Sequence, residues 1–219
     1  MLGSGVGRGR RVAPLFAGAL ASSGLLTIID QGVFSLANLI WIRQLGRTLS
    51  LEQLGDYYCL MSFVLLLMNS QAQLLTAPYA VRCHGKKTGR ELDEYTGALF
   101  LQEWYAMGLS VAIFGAAFLI CRVVGWTSSA AVAALSFAAP CYLARMFVRY
   151  VSFARSQHQS AVLLDVAVAV LQLAGLFFLW WTDRVQLVNV FLVLGLACGL
   201  VVPFWLRWTP IRWNRRGKM

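Results

Sequence analysis

Residues 20–45, LASSGLLTIIDQGVFSLANLIWIRQL, constrain this chain more than any other stretch. At about 1.5 Å of rise per residue, the segment is long enough to cross a bilayer as a helix, for which about 20 residues suffice. Yet it carries an acid, Asp30, near its middle. Ser23, Thr27, Gln31, Ser35 and Asn38 recur at steps of three or four and form one polar stripe on a helix, with Asp30 at its edge. Leu25, Leu26, Ile29, Val33, Leu36 and Ile40 form the other face. A carboxylate facing lipid costs several kcal/mol, so the stripe is expected to turn toward a bundle interior or a watery cavity. Small polar side chains also serve as hydrogen-bonding glue between helices, and for Ser23 and Ser35 both readings stand. Asp30 and Gln31 are expected to line a cavity.

Composition puts that segment in context. Of 219 residues, 59% are hydrophobic and 13% charged, and the mean hydropathy is +0.66. A soluble domain is nearer 45–50% apolar with about 25% charged, so an integral membrane protein is expected. The net charge of +10 does not indicate nucleic acid, because the basic residues lie between apolar runs rather than on one soluble surface. Trp41, Trp126, Trp180, Trp181, Trp205 and Trp208 stand near the ends of those runs, as interfacial aromatic belts require. Five widely spaced cysteines form no ligand pattern, and Cys83-His84 alone does not make a zinc site. No metal or cofactor is expected.

Five further runs of spanning length follow, at 57–81, 97–121, 128–151, 161–181 and 187–206. The expected fold class is therefore all-α: a polytopic membrane protein of six transmembrane helices. Residues 14–208 would form the bundle, flanked by basic tails at 1–13 and 209–219. Arg8, Arg10 and Arg11 could also begin a signal peptide with a cleavage-like site at Ala19-Leu20-Ala21. The apolar character continues past that point to Ile42, so an uncleaved first span is expected.

With the N-terminus inside, the cytoplasmic segments hold fifteen Lys and Arg, and the opposite side holds only Arg43, Arg47, Arg122 and Arg184. That asymmetry predicts that both termini are cytoplasmic. The C-terminal tail, with Trp208 and Trp213 among its arginines, is expected to lie against anionic membrane lipids. Residues 82–95 read as an interfacial turn or short amphipathic helix.

Besides Asp30, the ionisable residues in or near apolar runs are Glu103, Arg145, Arg149 and Asp165. Arg145 and Arg149, four apart, share a helix face and form two prongs able to hold a phosphate or pyrophosphate. Snorkelling to headgroups is the alternative. Asp165 is one turn into its run and fits an interfacial position, while Glu103 suits pairing with an arginine of a neighbouring helix. Asn69, Gln71 and Gln73 lie before Pro78, which should kink or end the second span. No enzyme motif is present: Gly108-Leu109-Ser110-Val111 lacks the second glycine of a serine-nucleophile loop, and an Asp30/Asp165 protease dyad lacks its sequence context.

Asp30-Gln31-Gly32 with Ser35 and Asn38, Leu45-Gly46, Leu54-Gly55-Asp56-Tyr57, Pro78, and Ala154-Arg155 followed by Asp165 together resemble the polysaccharide and O-antigen flippases of the multidrug/oligosaccharidyl-lipid/polysaccharide exporter superfamily. The likeness extends in order over most of residues 20–180. It implies a transporter of the cell inner membrane, serving polysaccharide and lipopolysaccharide biosynthesis. Such flippases move polyprenyl-pyrophosphate-linked oligosaccharides between leaflets by alternating access between two six-helix lobes, of which this chain supplies one. A second lobe or a self-dimer is the implied partner. Asp30, Gln31 and Asn38 are expected to line the cavity, with Asp30 coupled to a cation or proton, and Arg145 and Arg149 to meet the pyrophosphate. A drug or small-solute exporter of the same superfamily and a non-transporting scaffold of a glycan-assembly complex are the rival expectations.

Overall fold

The computed structural model describes residues 13–85 and 89–208, all of whose regular elements are helical. They are α1 (Ala13–Thr48), α2 (Leu51–Gln71), a π-helical turn (Ala72–Thr76), α3 (Ala77–Gly85), α4 (Gly89–Val124), α5 (Ser129–Ala154), α6 (His158–Trp181) and α7 (Leu187–Trp208). The rod from Leu51 to Cys83, together with α4, α5, α6 and α7, gives five helices long and apolar enough to cross a membrane. α1 adds a sixth long helix of 36 residues. Large apolar side chains such as Ile28, Leu39, Leu66, Leu101, Leu119, Trp181 and Phe204 are exposed. An exterior of this kind is compatible with a multi-pass membrane protein, whose apolar outer surface lipid covers.

Helices run further than hydropathy alone indicates. Proline 78 does not end the second rod. Its missing N–H and its ring would disrupt the preceding helical turn, and the π turn at Ala72–Thr76 lies directly upstream. Widening by one residue per turn rearranges the backbone bonds there, and the helix goes on to Gly85. Of the stretch expected to form a turn or short helix at 82–95, residues 82–85 end α3 and residues 89–95 open the long helix α4, while residues 86–88 lie outside the described residues. The basic tails lie outside the described residues, except that Ala13 already opens α1.

Three short connections end their helices in the same way. Gly125 (φ 77°), Ser156 (φ 58°) and Asp183 (φ 55°) each adopt a left-handed conformation. The next residue then donates back across the helix end: Trp126 N to Cys121 O (2.9 Å), Gln157 N to Ser152 O (2.8 Å) and Arg184 N to Leu179 O (2.9 Å). These bonds satisfy carbonyls that the helix end would otherwise strand. They make α4, α5, α6 and α7 an up-and-down series.

α5 is the hub, buried along most of its length and packed on α4, α6 and α7, and more lightly on α2 and α3. α7 comes close to it through Gly195 and Gly199, a small-x-x-x-small pair. A Cβ on Gly195 would sit 2.9 Å from Ala138 Cα, and one on Gly199 would sit 3.2 Å from Cys141 Sγ. α1 packs mainly on α6 and touches α2 lightly. Where α1 and α2 meet, Trp41 Nε1 donates to Tyr57 Oη (3.0 Å), and Tyr57 stacks on Phe191 of α7. Two of the tryptophans expected in interfacial belts are therefore core residues: Trp41 here, and Trp205, which donates to Ser160 (2.9 Å).

The α5–α7 contact gives a direct test. Gly195→Val must push backbone away from backbone, and such overpacking costs roughly 1–3 kcal/mol. Thermal unfolding in detergent should show that loss, whereas Gly108→Ala on α4, which faces open space, should unfold like the wild type.

Candidate functional site

Two antiparallel helices joined by a three-residue turn bring to one level residues that are equally far from the turn. Arg149 lies seven residues before Ser156 and Asp165 nine after it, so both sit roughly 10–14 Å from the turn at about 1.5 Å per residue. Arg149 Nε lies 2.5 Å from Asp165 Oδ2, and Arg145, one turn further along α5, donates from Nη2 to Asp165 Oδ1 at 2.6 Å. Arg149 Nη2 donates in the other direction to Asp30 Oδ2 of α1 at 2.7 Å. Two acids and two arginines from three helices thus form one charge-balanced network.

The aromatic surroundings complete it. The Phe34 ring of α1 lies under both guanidiniums, 5.4 Å from that of Arg145 and 5.6 Å from that of Arg149, while Phe153 lies 5.3 Å from Arg149. A ring face attracts a cation, most strongly where water is excluded. Asp30 and Asp165 side chains are 1% exposed and Arg145 3%, but Arg149 is 15% exposed. Arg149 is therefore the member of the network least covered by this chain. Asp30 Oδ1 and Arg145 Nε remain without hydrogen-bond partners, so the network has an unused acceptor and an unused donor.

Not every expected site residue converges. Asp30, Arg145 and Arg149 do, but as ion pairs: the arginines neither stand free as anion prongs nor snorkel outward, because each has a buried aspartate within reach. Gln31, next to Asp30 and so about 100° around the helix, is exposed on the single chain and takes no part in the network. Asn38, also largely exposed, borders a cavity of about 50 Å³ with Phe34, Trp41, Tyr57, Tyr142 and Arg145. That space suits one or two waters and not a sugar. Residues 30, 34, 37, 41 and 45 form the packed face of α1, and the polar stripe lies beside it.

Asp165 is buried at the centre of the network, bound by both arginines. Glu103 pairs with Gln71 rather than with an arginine. A second cluster, at the end of α5, was not expected. Arg155 donates to Asp93 Oδ1 (2.9 Å), Thr96 Oγ1 (2.6 Å) and Tyr79 Oη (3.0 Å). Thr96 spends its own proton on Leu92 O, so Tyr79 must donate to Thr96. This cluster ties α3 and α4 to the α5–α6 turn, and its pairs, 59–76 residues apart in sequence, leave no local signal. At the other end of the hub, Ser128 donates to Asp56. Comparison with family models, with curated proteins and with solved structures returned no match.

Removing the central acid is the sharpest test of the network. Asp165→Asn leaves two arginines facing one aspartate, and breaking a buried pair from one side costs about 3–5 kcal/mol. Thermal unfolding of the purified chain should record that loss, and it should exceed the loss for Asp30→Asn, which leaves Arg149 still paired with Asp165.

Proposed function

We propose that this chain is one six-span lobe of an alternating-access flippase in the cell inner membrane, with both termini cytoplasmic, that carries a polyprenyl-pyrophosphate-linked oligosaccharide. The carrying observation is the buried Asp30–Arg149–Asp165–Arg145 network. Ionisable groups inside apolar bundles are expensive, and they mark pathways and coupling sites. The order of motifs from Asp30 to Asp165 that resembles polysaccharide flippases supplies the substrate class.

The network suggests how such a lobe works. Arg149 is the least covered of the four and is held by Asp30 of α1, a helix that packs mainly on α6. A proton or cation taken by Asp30, whose Oδ1 is unpartnered, weakens that ion pair. Arg149 is then free to bind a pyrophosphate oxygen with a charge-assisted hydrogen bond, and α1 is free to move. The small cavity beside Asn38 is too tight for the glycan, so the transport path lies between this lobe and a second one or a second copy. A non-transporting scaffold of a glycan-assembly complex is the alternative, favoured by the near-complete pairing of the four charges.

Glycan export in a cell that depends on this chain separates the two. Asp30→Asn keeps size and most hydrogen bonding but removes the charge. It should leave the protein inserted and abundant while export falls to background. A scaffold would tolerate the change, because Arg149 keeps Asp165 as its ionic partner. Full export by Asp30→Asn would overturn the coupling role, and export by a demonstrably monomeric chain would overturn the half-transporter reading.

A further inference from the structure

Apart from the arginines, α4 buries one more acid, Glu103, at 0% exposure. Gln71 Nε2 donates to Glu103 Oε2 at 2.6 Å and to the Leu143 carbonyl of α5 at 3.0 Å. The carbonyl can only accept, which fixes the amide nitrogen on that side, and both of its N–H groups are then used. Two buried acceptors remain without any donor: Gln71 Oε1 and Glu103 Oε1. The group of α2 bonded to Glu103 is a neutral amide, whose other N–H goes to a backbone carbonyl of α5. Among the described residues no cation pairs with Glu103, since Arg145 and Arg149 of α5 are held by Asp165 and Asp30, and Arg155 by Asp93.

A carboxylate buried against a single amide costs several kcal/mol. The neutral acid removes that charge and brings a hydroxyl, the one donor that this group of acceptors lacks. Position adds a second argument. Gln71 is the last residue of α2, and the π turn Ala72–Thr76 begins immediately after it. A π turn marks a place where backbone bonds exchange between registers, and such turns concentrate at functional sites.

We propose that Glu103 is a proton-binding site. It holds a proton in this conformation with Gln71 as its partner. When α2 shifts about the π turn, Gln71 withdraws and water enters. The O–H bond of the acid then breaks, its electron pair stays on the carboxylate, and the proton passes to water. A role for this proton as the coupling ion rests on the transporter reading; the site itself does not.

Infrared spectroscopy of the purified full-length chain, carrying carboxyl-labelled glutamate, tests the site without reading export. Of the four glutamates, Glu52 and Glu91 are exposed and Glu94 is half-buried, so Glu103 alone is fully buried. At neutral pH the wild type should show a label-sensitive protonated-carboxyl band that is absent from Glu103→Gln and disappears reversibly as the pH is raised. Should Glu103→Gln fail to fold, the isotope shift in the wild type still assigns the band. Absence of the band at neutral pH would overturn the proposal. So would a band that persists at every pH at which the chain stays folded, because the proton would then be a fixed structural one. Either result leaves the lobe assignment standing, and failure of export by the lobe leaves the band unaffected.

Discussion

Four charged side chains share one largely buried region between α1, α5 and α6, and the bundle is arranged so that none of them is alone. After relaxation, moving one such ion out of water still costs several kcal/mol. Asp165 meets two arginines and Arg149 meets two aspartates, so every charge has a partner within 2.7 Å. The arginine planes also lie over Phe34, which offsets part of the lost hydration. Arginine suits this role because its fork of donors serves two acids at once, which the point charge of lysine does not.

Everything nearby follows from placing those charges. The close α5–α7 contact, made possible by Gly195 and Gly199, fills one side of α5 and leaves its arginine-bearing side toward α6 and α1. The Arg155 cluster fixes the end of α5 to α3 and α4 a few residues beyond the network. By contrast, α1 rests mainly on α6. Among the described residues it reaches the hub through the Asp30–Arg149 bond and the Phe34 ring, and α2 through the Trp41–Tyr57 bond. A helix that packs on α6 but is joined to the hub by a few polar bonds is the element whose attachment to the hub a change of protonation or a competing anion alters most readily.

Much of the helical architecture was legible in the sequence because apolar runs of spanning length leave few alternatives. The runs at 128–151, 161–181 and 187–206 fall within three residues of α5, α6 and α7. Helix extension past the apolar limits was not legible: α3 and α4 continue through polar residues, which hydropathy reads as a connection. Asp30, Arg145 and Arg149 stood out because charge in an apolar run is costly. Asp165 was underweighted, although counting residues back and forward from the α5–α6 turn places it opposite Arg149. Gly195-x-x-x-Gly199 was also readable as a close-packing pair. Gln31 lies beside the packed face of α1 rather than on it, because a polar stripe need not coincide with that face. The partners of Glu103 and Arg155 come from distant helices, so no spacing rule reveals them.

Whether the Asp30–Arg149 bond holds the first helix to the hub is read most directly by a double-mutant cycle on unfolding free energy. Arg149→Gln alone leaves Asp30 buried without a cation. Adding Asp30→Asn removes the stranded charge, while Arg145 and Asp165 stay paired. The double variant should therefore be more stable than Arg149→Gln, with a coupling energy in the range of about 0.5–3 kcal/mol found for residues in one ion-pair network. Additive losses, with the double variant less stable than either single one, would contradict the bond.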